Sequence, residues 1–204
     1  TSLRWEAMVP VLEGKLPLWI WVNGAKRIEE TVDWAVRENV KMAVVGGAEA
    51  YMTAELLKKH DIPVIVAPVD RLPYRQESDY DEPFTLAARL SEAGVRFCIA
   101  DGSDGGGERN LPYHAAHAAA FGLPKDLALR AITLSAAEII GVADRTGSLE
   151  KGRDATLIVT TGDPLEVTTT VEKLYIRGRA VDLSDKQKTL YSKYREKYKA
   201  LSGK

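Results

Sequence analysis

The side chains able to move a proton or hold a metal fall in few places along this chain, and their spacing limits what they could do. The histidines are His60, His114 and His117, and the only cysteine is Cys98. Three imidazoles and one thiol cannot build an all-Cys/His zinc site, so a metal would need carboxylates or groups from another chain. His60 closes the basic triplet Lys58-Lys59-His60, where a cation faces helix carbonyls favourably, and it reads as a capping residue. His114 and His117 stand three apart in text of helical period, a spacing that binds a metal only when other donors converge. No third donor is visible beside them, so they read as ordinary helix histidines. Asp101 ends the apolar run Arg96–Ala100 and opens the loop DGSDGGGERN, which also holds Asp104 and Arg109. Asp-Gly pairs are common turn chemistry. Glycines before a helix can cradle a phosphate, but neither standard nucleotide fingerprint is met. Arg109 suits an anionic ligand or a surface position at a helix start.

Positioning such groups requires a scaffold, and the hydrophobic pattern supplies one. Nearly continuous apolar runs at Leu18–Val22, Met42–Val45, Pro63–Ala67 and Arg96–Ala100 read as parallel strands covered on both faces. Between them, Ala25–Glu38, Ala48–Lys59 and Thr85–Ala93 read as crossover helices, the first with Ile28, Val32, Ala35 and Val36 on one buried stripe. Helical text continues over Pro112–Ala120 and Lys125–Ile140. Short β-rich runs follow at Ala155–Thr160 and Val171–Ile176, and then a charged helix with Leu190, Tyr194 and Tyr198 on a packing stripe. With 45% hydrophobic and 28% charged residues, the composition is that of a globular protein. Lys plus Arg number 28 against 29 Asp plus Glu, a formal charge of -1, so no global field recruits nucleic acid or an anionic membrane. A small-molecule ligand is the expected partner. No stretch approaches the ~18 apolar residues of a membrane span, and TSLRWEAMVPVLEGK lacks a signal-peptide core, which makes the cytoplasm the default expectation. A start at Thr1 without Met reads as a processed or truncated product.

The run from Leu127 to Leu183 resembles the C-terminal signature of the amidohydrolase superfamily, in its imidazolonepropionase-like branch. Its Gly-Ser-Leu-x-x-Gly-x-Asp-Ala-x-Leu stretch is matched at every fixed position by Gly147–Leu157. The likeness extends through GVRFCIADG and NLPYHAAHAAAFGLP and, more loosely, through the earlier strands. It implies an α/β fold, half of a TIM-like (β/α)8 barrel: strands five to eight in residues 1–145, a β-sandwich segment in 146–183 and a charged helix in 184–204. A half barrel has open edges, so a homo-oligomer or a partner half-barrel is expected. The family chemistry is hydrolysis of a carbon-nitrogen bond by metal-activated water, with ligating histidines after strands five and six and an aspartate after strand eight.

Those strand ends fall here at Trp21 or Asn23, at Gly46-Gly47 and at Asp101. Only Asp101 matches the pattern, as a carboxylate that ligates metal and takes a proton from water. Tryptophan and glycine offer no side-chain donor, and an asparagine carbonyl is a poor zinc ligand. The expectation is therefore no cofactor in this chain alone, and zinc or another divalent metal where a complete family site exists. Trp21, Asn23, Gly46, Gly47, Asp104 and Arg109 are the candidate pocket residues. A non-catalytic ligand-binding or assembly protein on the same fold is the alternative. Asp154, in the turn EKGRDATLIV, is expected to hydrogen-bond backbone amides and start the strand after it.

Overall fold

Strand and helix alternate because β-branched runs alternate with text of helical period, and the computed structural model, which describes residues 2–102 and 106–202, follows that alternation closely. Two one-turn helices, α1 (Leu3–Glu6) and α2 (Val9–Leu12), lead into β1 (Leu18–Val22). Next come α3 (Ala25–Arg37), β2 (Met42–Gly46), a 3-10 turn over Ala50–Thr53 that runs into α4 (Ala54–Lys59), β3 (Val64–Val66), α5 (Glu82–Glu92) and β4 (Phe97–Ile99). The four strands are parallel and lie in the order β1-β2-β3-β4, each beside the next in sequence. That order, with a helix in each crossover, is the repeating unit of a (β/α) barrel.

One face of the sheet carries the main core. Val22, Val44, Val64, Val66 and Ile99 pack against Ile28 and Val32 of α3, Leu57 of α4 and Leu86 and Leu90 of α5. Ile28, Val32, Leu57 and Leu90 are fully buried, and burial of each such side chain contributes roughly 1.5–3 kcal/mol. Val36, expected on the same stripe, is half exposed instead, because it faces a cavity at the amino ends of the strands. The other sheet face has a smaller cluster of Ala43, Val45, Ile65 and Cys98, and Trp19 and Trp21 stand in register with its first two members, exposed.

After β4 the chain turns through a 3-10 segment, Glu108–Asn110, into α6 (Leu111–Ala120), α7 (Lys125–Ala131) and α8 (Leu134–Ile140). The single helix expected over Lys125–Ile140 is two helices, broken at Thr133, whose φ of -128° and ψ of -95° leave the helical region. Its hydroxyl donates to the Leu129 carbonyl at 2.7 Å, a local bond that competes with helix continuation. Ala136 and Ile139 of α8 cover part of the smaller cluster. Gly147 follows at φ +94°, where a Cβ would sit 2.7 Å from the Cβ of Ala137 and 3.0 Å from the Cα of Leu134. Only glycine lets this turn press against α8.

An antiparallel sheet of β5 (Leu157–Thr160), β6 (Val171–Ile176) and β7 (Arg179–Val181) comes next. Arg177 and Gly178, both at positive φ (50° and 75°), make the two-residue turn whose twist matches a hairpin. The Asp154 carboxylate pairs with cations, not with the expected backbone amides: Arg145 Nη2 lies at 2.8 Å and Arg177 Nε at 3.6 Å. Because that pair is partly exposed, Asp154→Ala is expected to cost only about 0.2–1 kcal/mol, a change of a few degrees at most in a thermal melt. The chain's last helix, α9 (Lys186–Ser202), keeps Leu190, Tyr194 and Tyr198 of the expected packing stripe exposed. Among those residues no helix is long and apolar enough to cross a membrane.

Candidate active site at the carboxyl ends of β3 and β4

Side chains that follow parallel strands share one end of the sheet, and four chemically able groups meet there. Asp101 follows β4, whose end is fixed by the Ala100 N–H donating to the Val66 carbonyl at 2.9 Å. Asp70 follows β3 by way of the buried Val69. From α6, His114 reaches under both loops, with Nε2 3.1 Å from Asp101 Oδ1 and Nδ1 3.4 Å from both the amide N and Oδ2 of Asp70. His117, one turn further, places Nδ1 2.5 Å from Asp70 Oδ1. The result is one continuous series, Asp101, His114, Asp70, His117, running from a half-buried carboxylate to an exposed imidazole. His114 itself is 5% exposed.

The two histidines therefore do not behave as ordinary helix histidines, and they need no movement to enter the mouth. Their i, i+3 spacing was visible in the sequence, whereas their carboxylate partners come from loops 13 and 47 residues away. Phe84 of α5 meets the His117 ring edge-on at 6.0 Å and stacks on Phe121 at 4.9 Å, which holds this side of the mouth apolar.

At the β1 and β2 ends the arrangement differs. Asn23 is half-buried and its Oδ1 accepts the Ala48 N–H at 3.4 Å. The same oxygen lies 2.4 Å from where a Cβ on Gly46 would stand. Gly46 and Gly47 both have positive φ, +87° and +63°, and a Cβ on Gly47 would meet Val64 Cγ1 at 2.9 Å. Asn23 thus ties the two strand ends together through the volume a side chain on β2 would need. Trp21 is 65% exposed on the sheet face away from α3. Arg109 lies exposed in the 3-10 turn, and Asp104 lies outside the described residues.

A wall of the mouth absent from the sequence reading is the loop from Asp70 to Asp81. Two buried glutamates hold it. Glu82 takes Arg71 in a two-pronged pair (Nη2–Oε1 2.5 Å, Nη1–Oε2 3.2 Å) and also accepts the Tyr74 N–H at 2.8 Å. Glu49 takes Arg75 through both oxygens and accepts the Ala25 N–H at 2.8 Å, at the start of α3. The Arg75 guanidinium holds the Glu49 carboxyl below the ordinary carboxylate range, against the opposing effect of burial. The only sequence signal for these pairs was two arginines in the loop and two glutamates at helix starts. Cys98 is chemically quiet, since burial pushes its thiol up to about 12.

Among the described residues no group of three or more His, Cys, Asp or Glu side chains is placed to hold a metal ion. The carboxylates and imidazoles of the β3 and β4 ends bond to one another, and the β1 and β2 ends are tied by an amide. These residues alone do not fit a catalytic divalent metal.

A sequence profile described as the amidohydrolase family matches residues 23–181. The solved structure of an amidohydrolase from Thermotoga maritima MSB8 superimposes with a TM-score of 0.82 at 28% identity, over 89% of this chain and 47% of that one. An adenosine deaminase from Xanthomonas campestris, solved with bound zinc, gives a TM-score of 0.60 at 19% identity over 92% of this chain and 51% of that one. The protein amidohydrolase tasK of Hapsidospora irregularis is 24% identical over 183 residues, which is 88% of this chain and 19% of that protein. The chain thus spans about half the length of the solved chains it matches and about a fifth of tasK.

Proposed function

Because this chain belongs to the amidohydrolase family, we propose that its role is to supply the β3–β4 end of a hydrolase mouth that acts on carbon-nitrogen bonds, in the imidazolonepropionase-like branch that the Gly147–Leu157 stretch resembles. The observation that carries the reading is the Asp101–His114–Asp70–His117 series at the carboxyl ends of two parallel strands, where barrel enzymes gather their chemistry. Asp101 is the group for the reaction. Its carboxylate accepts a proton from water as the water oxygen bonds to the acyl carbon, and the proton passes to the departing nitrogen as the carbon-nitrogen bond breaks.

The four-stranded sheet is half of such a barrel, and a second set of strands closes it, from a longer form of this chain, a partner or a second copy. Exposed Trp19 and Trp21 beside the Ala43 and Val45 cluster are the apolar surface such closure would cover. Any zinc or other divalent ion would be held mainly by donors outside the described residues. The bond from Asn23 to the Ala48 amide, through the space a side chain at Gly46 would need, supports the second reading, a ligand-binding or assembly protein on this fold without turnover.

Two measurements separate the readings. Light scattering at micromolar concentration is expected to report a dimer or larger species for this chain, and a well-folded monomer would remove self-association as the route to closure. The closed assembly is then assayed against N-acyl amino acids and cyclic amides. Turnover that falls at least roughly 100-fold in Asp101→Asn, with the melt unchanged, supports the hydrolase. Turnover indifferent to Asp101 sinks the assignment, and tight ligand binding without turnover favours the binder.

A further inference from the structure

We infer that His114 is a positioning residue that fixes the orientation of the Asp101 carboxylate through a set tautomer, with Asp70 and His117 holding His114 in turn. This rests on the proposal that Asp101 works in the mouth. Asp70 Oδ2 lies as near His114 Nδ1 as the Asp70 amide does, 3.4 Å, but only the Asp70 N–H makes a hydrogen bond to that nitrogen, which makes Nδ1 the acceptor and places the ring proton on Nε2, directed at Asp101 Oδ1 3.1 Å away. His117 is set the other way round. Its Nδ1 faces a carboxylate oxygen at 2.5 Å, so Nδ1 carries the proton and donates to Asp70.

The support runs outward without a break. Phe121 stacks on Phe84, Phe84 meets the edge of His117, His117 holds Asp70, and Asp70 backs His114. Between the histidines and beyond them, Ala115 and Ala118 are fully buried, so α6 cannot turn about its axis to present another face. A base that takes a proton only in one geometry gains from being held within a fraction of an ångström, and a ring N–H aimed at Oδ1 from a fixed helix does that. Two histidines three residues apart, with opposite ring protons, are therefore the signature of this arrangement.

The test is a two-bond proton–nitrogen correlation spectrum of the full chain labelled at histidine, recorded at pH 8.5. The expected result is His114 protonated at Nε2 and His117 protonated at Nδ1. Asp70→Asn keeps the backbone N–H, so His114 should hold its tautomer while His117 shifts toward a mixture. A His114 protonated at Nδ1, or averaging between tautomers in the folded wild-type chain, overturns the inference. In the closed assembly, His114→Leu should lower kcat roughly 10- to 100-fold with KM little changed, and His114→Gln, which keeps a donor, should recover part of that loss. Equal kcat in both variants and the wild type also overturns it. The reading beneath it fails separately, if hydrolysis survives Asp101→Asn while both tautomers are as stated.

Discussion

Gly46→His is expected to leave the chain without tightly bound zinc and to lower its melting temperature by several degrees or more. The family resemblance puts a ligating imidazole near this point, so the substitution is the obvious attempt at restoration. Two features of the backbone oppose it. Gly46 sits at φ +87°, a conformation that costs a bulky L-residue of order 1–3 kcal/mol. Its new Cβ would also lie 2.4 Å from Asn23 Oδ1, so the bond from Asn23 to the Ala48 amide must break. Together these give a loss of roughly 2–5 kcal/mol, or about 4–20 °C for a domain of this size. Calorimetry with zinc and a thermal melt of the same sample check both halves. One equivalent of tight zinc in a variant as stable as the wild type would show that the strand ends can rearrange and that the site was misjudged.

Glu82→Ala should be the most damaging single change to the mouth. Glu82 has 3% of its side chain exposed and Arg71 19%, so removing the carboxylate strands a largely buried guanidinium and also orphans the Tyr74 N–H. Breaking a buried pair from one side costs roughly 3–5 kcal/mol, more than the pair itself contributes. Glu82→Gln, which still accepts the Tyr74 N–H, should lose less. Chemical denaturation of the two variants gives the comparison directly. Equal and small losses would mean that the loop from Asp70 to Asp81 is held by something other than these two side chains.

The parallel sheet was legible because its signals are local. Each strand is a short apolar run, and the bounds read for Leu18–Val22, like those for Val171–Ile176 in the antiparallel sheet, coincide with the structure. The break at Thr133 was less visible, since one threonine hydroxyl turning back on its own helix leaves no trace in periodicity. The site was readable in part for a related reason. Asp101 could be placed because it directly ends a strand. Asp70 and His117, separated by 47 residues, could be joined only once the β3 loop and α6 were packed together. The buried glutamates were hidden further, because a glutamate at a helix start has an ample local explanation in the helix dipole and needs no distant arginine. Exposure of the Leu190, Tyr194 and Tyr198 stripe shows the opposite limit: an amphipathic pattern says that a face can be covered, and these three side chains nonetheless stay exposed.

Glu49 joins parts of the molecule that would otherwise fluctuate independently. One carboxylate closes the first turn of α3 through the Ala25 amide and anchors the mouth loop through Arg75. Loop and turn share one anchoring carboxylate. The Ala25 amide and the mouth wall should therefore exchange with deuterium as one opening unit, far slower than an exposed loop by itself. Acid acts on the same joint. A carboxyl held below its ordinary range contributes stability that is present above that range and is lost as pH falls through the lowered value. Protonation of this single group would then release the corner of β1 and α3 and the rim of the mouth together, which makes local opening in acid a property shared by two distant stretches of sequence.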